Sequence, residues 1–193
     1  MVKLRMFDLS DWELVARARA DDMDAFAELV RRYQGPVMRF CQRMTGSAQD
    51  AEEIAQDSFV RVYRHLDHIT PQAKFSTLLF GIARNLTLNA LRDAKRHGRG
   101  NLEPLDIANP APDETLRPDR AARLKEMESI VERGISMLSP EHREIIILRE
   151  INGLDYDTIA EVLKCQKGTV KSRLARAREQ LRESVRTIGG ELI

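Results

Sequence analysis

Apolar residues recur along most of this chain at spacings of three and four, the period of an amphipathic helix. Phe26, Leu29, Val30 and Tyr33 form the first clear stripe. Gly35-Pro36 interrupts it, and the pattern resumes as Val37, Phe40, Cys41 and Met44 before Gly46, a plausible C-cap. Upstream, Ser10 and Glu13 have the spacing of a capping box. Ser47 opens a long helix with Asp50 near its positive end, Ile54, Ala55, Phe59, Val62 and Leu66 inside, and Glu52, Glu53, Gln56, Asp57, Arg61 and Arg64 outside. After a loop from Asp67 to Lys74, holding Pro71, a helix is expected over about Phe75 to Arg96. Leu79, Ile82, Ala83, Leu86 and Ala90 form its core stripe, and Asn85, Asn89, Arg92 and Arg96 a polar one.

The periodicity then stops. Between Gly98 and Asp119 stand four of the seven prolines, and two Arg face five Asp or Glu, which reads as an acidic, flexible linker. Helical pattern returns at Ala121. Ser139-Pro140 is an N-cap followed by the residue best tolerated at the first helical position, and that helix carries Ile145, Ile146, Leu148 and Arg149 to about Asn152-Gly153. Asp155 can cap a short helix with Ile159, Ala160, Val162 and Leu163. After the tight connection Lys164-Cys165-Gln166, a last helix runs to about Arg186, with Val170, Leu174, Ala177 and Leu181 inward. No strand pattern and no internal repeat emerges. The fold class is all-α: two small helical domains, 1–97 and 120–193, joined by the linker 98–119, the second a helix-turn-helix.

Composition refines this picture. Aromatics are 5% against 42% apolar residues overall, so the cores are largely aliphatic. The net charge of +1 hides an asymmetry: Lys164 to Arg186 holds eight Lys or Arg against two Glu. Two distant cysteines, Cys41 and Cys165, are no disulfide framework and fit a reducing cytoplasm. Met1 to Leu9 lacks a signal-peptide core, and no run approaches the roughly 20 apolar residues that span a bilayer, so no membrane contact is expected.

A short helix, a brief turn and a basic helix with small residues at its start form a helix-turn-helix pattern. Gly168, Thr169 and Ser172 are small enough to enter a major groove, and Lys171, Arg173 and Arg176 can reach phosphates or base edges. A lone basic helix reads equally well as a solvated helix closing a bundle; the preceding helix and turn favour DNA. No acid, base, nucleophile and metal set converges, so an enzyme is not expected and no cofactor is implied. His65 and His68 are spaced to share a metal, but nothing completes that site. Cys41 lies on an apolar stripe, and Cys165 in the turn is the more reactive candidate.

Three runs in the first half resemble region two of the sigma factors of bacterial RNA polymerase: Asp24-Ala25-Phe26-Ala27-Glu28-Leu29-Val30, Asp50 through Phe59, and Phe75-Ser76-Thr77 through Asn85. Leu138-Ser139-Pro140 through Glu150, Gly153 through Ala160, and Gly168 through Arg178 look like region four. The nearest subfamily is the extracytoplasmic-function (ECF) type of sigma-70 factors, which keeps only these two domains.

The resemblance implies a factor that binds core RNA polymerase, directs it to promoter DNA and helps melt the minus-ten region of a stress- or signal-responsive regulon. Glu53, Gln56, Asp57 and Arg61 then match the surface that docks on a polymerase coiled coil, although alone they read as a solvated helix face. The minus-ten set is Leu78, Arg84, Asn85, Asn89, Arg92 and Arg96, with Lys95 a further phosphate candidate; either Asn reads equally as a solvated helix residue. The minus-thirty-five set is Arg149, Thr169, Lys171, Ser172, Arg173, Ala175, Arg176 and Arg178. An anti-sigma factor wedged between or wrapped around the domains is an implied partner.

The chain also departs from the family pattern. Leu78 follows Thr77 where many relatives carry Trp, so melting is expected to be weaker or more selective, because stacking on a flat ring contributes about 1–3 kcal/mol. Gly81 stands where a basic or bulky residue is common, Gln166 where Pro is frequent, and Ala175 where a larger contact residue sometimes sits. Two competing readings remain at this point: an ordinary helix-turn-helix regulator binding duplex DNA as a dimer, and a helical adaptor. The basic last helix weighs against the adaptor, the acidic linker and the Asn-Arg helix against the simple regulator.

Overall fold

The computed structural model describes residues 6–97 and 118–190, and every regular element in them is helical. The linker expected from 98 lies outside the described residues as far as 117. Eight helices follow in order: α1 (Asp11–Arg19), α2 (Met23–Thr45), α3 (Ala48–Arg64), α4 (Phe75–Arg96), α5 (Pro118–Met137), α6 (Pro140–Ile146), α7 (Tyr156–Leu163) and α8 (Lys167–Gly189). Helix α5 starts at Pro118, three residues before the expected return at Ala121.

Local chemistry accounts for most of the boundaries. Ser10 and Glu13 form the capping box at α1, with the Ser10 amide donating to Glu13 at 2.7 Å. Ser47 accepts from the Asp50 amide to open α3, and Gly46 closes α2 in the left-handed region at φ 73°, where a side chain would be strained. The interruption expected at Gly35-Pro36 does not occur: α2 runs unbroken through Pro36. A proline inside a helix forfeits one hydrogen bond, but Ala25 and Leu29 before it and Val37, Phe40, Cys41 and Met44 after it are buried on one face. Tertiary burial of that stripe outweighs the local defect.

Helices α1 to α4 pack around Phe40, Phe75 and Phe80, with Phe40 and Phe80 edge to face at 5.9 Å between centroids. In α4 the deepest residues are Phe75, Leu79, Phe80, Ala83 and Thr87; the expected core positions Ile82, Leu86 and Ala90 are only partly buried, so the buried stripe is rotated toward Phe80 and Thr87. Cys41 is buried beside Thr87, and desolvation pushes its thiol up to about 11, a core cysteine and not a reactive one.

Helices α5 to α8 form the second group, α8 lying along α5, α6 and α7. Gly134 allows the α5–α8 approach, since a Cβ there would come within 2.9 Å of Val185 Cγ2. The two groups do not stand apart. Helix α4 packs on α7 and α2 on α5 and α6, so one apolar cluster runs through both halves.

Candidate polymerase and nucleic-acid surfaces

The outer face of α3 follows directly from its period. Glu53, Gln56, Asp57 and Arg61 are all exposed, as expected, and Asp57 pairs with Arg61 at 3.3 Å. Val60 and Tyr63 are also exposed among them, which the periodicity did not single out. A charged rim around apolar side chains is how protein interfaces are commonly built.

On α4, at 3.6 residues per turn, Leu78, Asn85, Asn89, Arg92 and Arg96 fall along one line of the helix. Asn85, Asn89, Arg92 and Arg96 are exposed, and Arg92 donates to the side-chain Oδ1 of Asn89 at 2.9 Å. Leu78 is partly buried against the core at the edge of a cleft of about 550 Å³. The cleft lies between the end of α3, the loop after it and the start of α4, where Trp12, His65, His68, Lys74 and Thr77 also line it. Trp12, edge-on to Phe75 at 6.4 Å, escaped the sequence reading because its neighbours there come from distant segments. No group of three His, Cys, Asp or Glu that could hold a metal occurs among the described residues.

Arg84 stands apart from that line. It sits about a third of a turn away, on the flank facing the second half, and its guanidinium forms an ion pair with Glu144 of α6 in which Nη2 lies 3.3 Å from the carboxylate. Burial raises the Glu144 carboxyl above its ordinary range, an effect the Arg84 hydrogen bond offsets in part. Along the same flank Lys74 pairs with Asp155, and Thr77 donates to Glu161 at 3.1 Å. The Lys74 ammonium holds the Asp155 carboxyl well below the usual carboxylate range, helped by the Thr158 amide.

The helix-turn-helix is assembled as expected. Asp155 caps α7 through the Thr158 amide at 2.8 Å, and Lys164 in the left-handed region (φ 53°) makes the turn into α8. Thr169, Lys171, Ser172, Ala175, Arg176 and Arg178 are exposed along α8, and Arg173 is half-buried, 3.9 Å from Glu141. Arg178 is held by Glu150 at 2.7 Å, which raises its pKa. Arg149 is differently placed. Helix α6 passes into a wider turn over Ile147–Ile151, and Arg149 there donates to the Leu154 carbonyl at 2.9 Å while lying over the Tyr156 ring, 4.9 Å from its centroid. Its side chain braces the turn that leads into α7.

Sequence reasoning also missed Arg143. It is buried and donates to the carbonyls of Ile135 (3.2 Å), Ser136 and Leu138 (3.1 Å) near the end of α5, and to Met44 (3.4 Å) at the end of α2. Those carbonyls lie at the partly negative C-terminal ends of two helices, and one cation serves both. Nothing in the spacing around Arg143 marks it, because its partners come from other helices.

A four-helix unit with an exposed polar stripe on α4, followed by a helix-turn-helix with a basic second helix, matches the pairing of sigma-70 region 2 with region 4. The Sigma-70 region 2 family description matches residues 29–97, and that of Sigma-70 region 4 matches residues 129–181. The ECF RNA polymerase sigma factor SigW of Bacillus subtilis (strain 168) is 33% identical over 182 residues, covering 90% of this chain and 96% of that one. The ECF RNA polymerase sigma-E factor of Escherichia coli (strain K12) is 34% identical over 185 residues, covering 93% and 96%. Among solved structures, CnrH in complex with the cytosolic domain of CnrY aligns with a TM-score of 0.64 at 26% identity, over 90% of this chain and 95% of that one. The sigma factor RpoE with the anti-sigma factor NepR from Bartonella quintana shares the fold, with a TM-score of 0.65 at 23% identity over 83% and 96%. The chain belongs to the ECF RNA polymerase sigma factors: it acts with core RNA polymerase to initiate transcription at specific promoters.

Proposed function

We propose a division of labour within this sigma factor. Residues 1–97 form the polymerase-docking and minus-ten domain, and the half that opens with α5 at Pro118 forms the minus-thirty-five domain. Glu53, Gln56, Asp57 and Arg61 on α3 carry the docking surface. Leu78 wedges an unstacked base step at the mouth of the cleft, Asn85 and Asn89 hydrogen-bond exposed base edges, and Arg92 and Arg96 hold the backbone, with Arg84 available to phosphate once its partner is displaced. Thr169, Lys171, Ser172, Arg173, Ala175, Arg176 and Arg178 on α8 face the minus-thirty-five groove; Arg149 acts by supporting that helix pair.

The observation that carries this reading is the single exposed line Asn85–Asn89–Arg92–Arg96 continuing into Leu78 and the cleft. It offers hydrogen-bonding groups, cations and a recess in series, which a single strand requires and a duplex-binding regulator does not. The protein is an initiation factor and not an enzyme, and, acting with core RNA polymerase, it works in the cytoplasm. Among the described residues no helix is long and apolar enough to cross a membrane. An anti-sigma factor holds it silent, a reading that draws on the similarly folded RpoE of Bartonella quintana, which is bound to the anti-sigma factor NepR.

Run-off transcription with core polymerase and a library of promoter fragments tests the whole. Transcripts that depend on added protein, share minus-ten and minus-thirty-five elements, and fall on Asn89→Ala or Arg92→Ala are the expected result. Transcription indifferent to these substitutions rejects the residue assignment.

A further inference from the structure

Lys74, Thr77, Gly81 and Arg84 lie at i, i+3, i+7 and i+10 along one flank of α4, about 15 Å from end to end at 1.5 Å per residue. Gly81 offers no side chain in this row, and nothing stands within 4 Å of where its Cβ would be. The other three donors each meet an acidic side chain of the helix-turn-helix half: Lys74 meets Asp155, Thr77 meets Glu161 and Arg84 meets Glu144. The three acids come from α6, from the α7 cap and from α7 itself, so a single rigid unit presents them. A carboxylate offers these donors the same acceptor oxygens as a backbone phosphate.

We propose that Glu144, Asp155 and Glu161 form a latch in which the helix-turn-helix half occupies, in place of single-stranded DNA phosphates, the Lys74–Thr77–Arg84 flank of the minus-ten helix. This rests on the assignment of α4 to the minus-ten strand and adds its regulation: the chain masks its own phosphate site until a polyanion or the polymerase displaces the acids. It also places Lys74 and Thr77 among the strand contacts.

Geometry makes release of the latch obligatory. Elements that read minus-ten and minus-thirty-five sit roughly 25 positions apart, about 85 Å along B-form DNA at 3.4 Å per position. In the closed chain α4 packs directly on α7, which packs in turn on the reading helix α8; at about 10 Å per helix contact the two reading helices lie within about 20 Å of one another. The closed form cannot place both reading helices on one promoter. The pairs also differ in strength. Lys74–Asp155 is exposed on both sides (65% and 49%) and open to screening, whereas Arg84 and Glu144 are enclosed (20% and 3%) and form the inner bolt.

The test uses the full chain with Glu144→Gln, Asp155→Asn and Glu161→Gln combined. Asn retains the cap at the start of α7, and unchanged helical circular dichroism together with cooperative melting checks that the variant folds. X-ray scattering at low salt should give the native chain a radius of gyration near that of a compact 193-residue protein, about 16 Å, and the variant a larger one. A fluorescent single-stranded pool of random 12-mers should bind the variant about tenfold more tightly, because the open fraction no longer limits binding. An unchanged radius in the variant overturns the latch, and so does expansion without tighter oligonucleotide binding. The minus-ten assignment is judged separately, by run-off transcription with Arg92→Ala in the native background. Undiminished transcription there rejects the assignment, while the radius still reports whether the acids hold the chain closed.

Discussion

The Arg43 guanidinium closes on both carboxylate oxygens of Glu132, with N–O distances of 2.5 and 3.1 Å, across 89 positions of sequence. It joins α2 to α5 with side chains only 5% and 15% exposed. Removing one member of such an enclosed pair strands the other. Arg43→Ala should therefore cost about 3 kcal/mol in urea unfolding, while Arg43→Met combined with Glu132→Leu should recover most of it. Equal losses in the single and double variants would show that the pair contributes through shape alone.

Asp155 couples the helix-turn-helix to pH. Its folded pKa lies below the ordinary carboxylate value, chiefly through Lys74 and then through the Thr158 amide. A depressed carboxylate contributes stability above its unfolded pKa, about 4, and loses it as pH falls toward the folded value. Thermal melts at pH 7, 4 and 3 should show the native chain losing more stability than Asp155→Asn over that interval. At pH 7, Asp155→Ala should cost about 1 kcal/mol as a lost helix cap.

Leu78→Trp tests the departure from the family pattern. A ring at the mouth of the cleft adds a stacking face contributing about 1–3 kcal/mol per base. Run-off transcription should rise most on promoters the native protein melts poorly, so selectivity should fall as activity broadens. Unaltered transcription across the promoter library would show that the base step does not reach this side chain.

Arg149 and Arg176 should separate structure from contact. Arg149 is committed to the Leu154 carbonyl and the Tyr156 ring, so Arg149→Ala should lower thermal stability, by about 1–2 kcal/mol, together with duplex affinity. Arg176 is exposed. Arg176→Ala should leave the melting temperature unchanged, weaken binding to minus-thirty-five duplex, and reduce the slope of log affinity against log salt by about one.

Two glycines in helix interiors should respond with opposite sign. At Gly81 an added Cβ meets nothing within 4 Å, so Gly81→Ala should stabilise by about 1 kcal/mol through helix propensity. At Gly134 the same Cβ would lie 2.9 Å from Val185 Cγ2 and 3.1 Å from Leu181 Cδ1. Gly134→Ala should destabilise by about 1 kcal/mol despite the same propensity gain, since a stiff valine must move. Parallel chemical denaturation of both variants checks the signs.

Several features were decided by the sequence alone, because each depends on residues within a few positions of one another. The caps at Ser10, Ser47, Ser139 and Asp155, the exposed face of α3, the Asn85–Arg96 line and the turn into α8 all follow from the helical period and local hydrogen bonding. The motifs that place the chain among the ECF sigma factors are local in the same sense. The tertiary structure decided what depends on partners brought from far along the chain. It carried α2 through Pro36 because burial on both sides outweighs one lost hydrogen bond, and it rotated the core of α4 toward Phe80 and Thr87. It turned Arg143 into a cap for two helix ends and Arg149 into a brace. It paired Arg84 with Glu144, 60 positions away, where the linear pattern showed a free cation. Periodicity states which face of a helix is buried; which charge it meets there depends on how the helices pack.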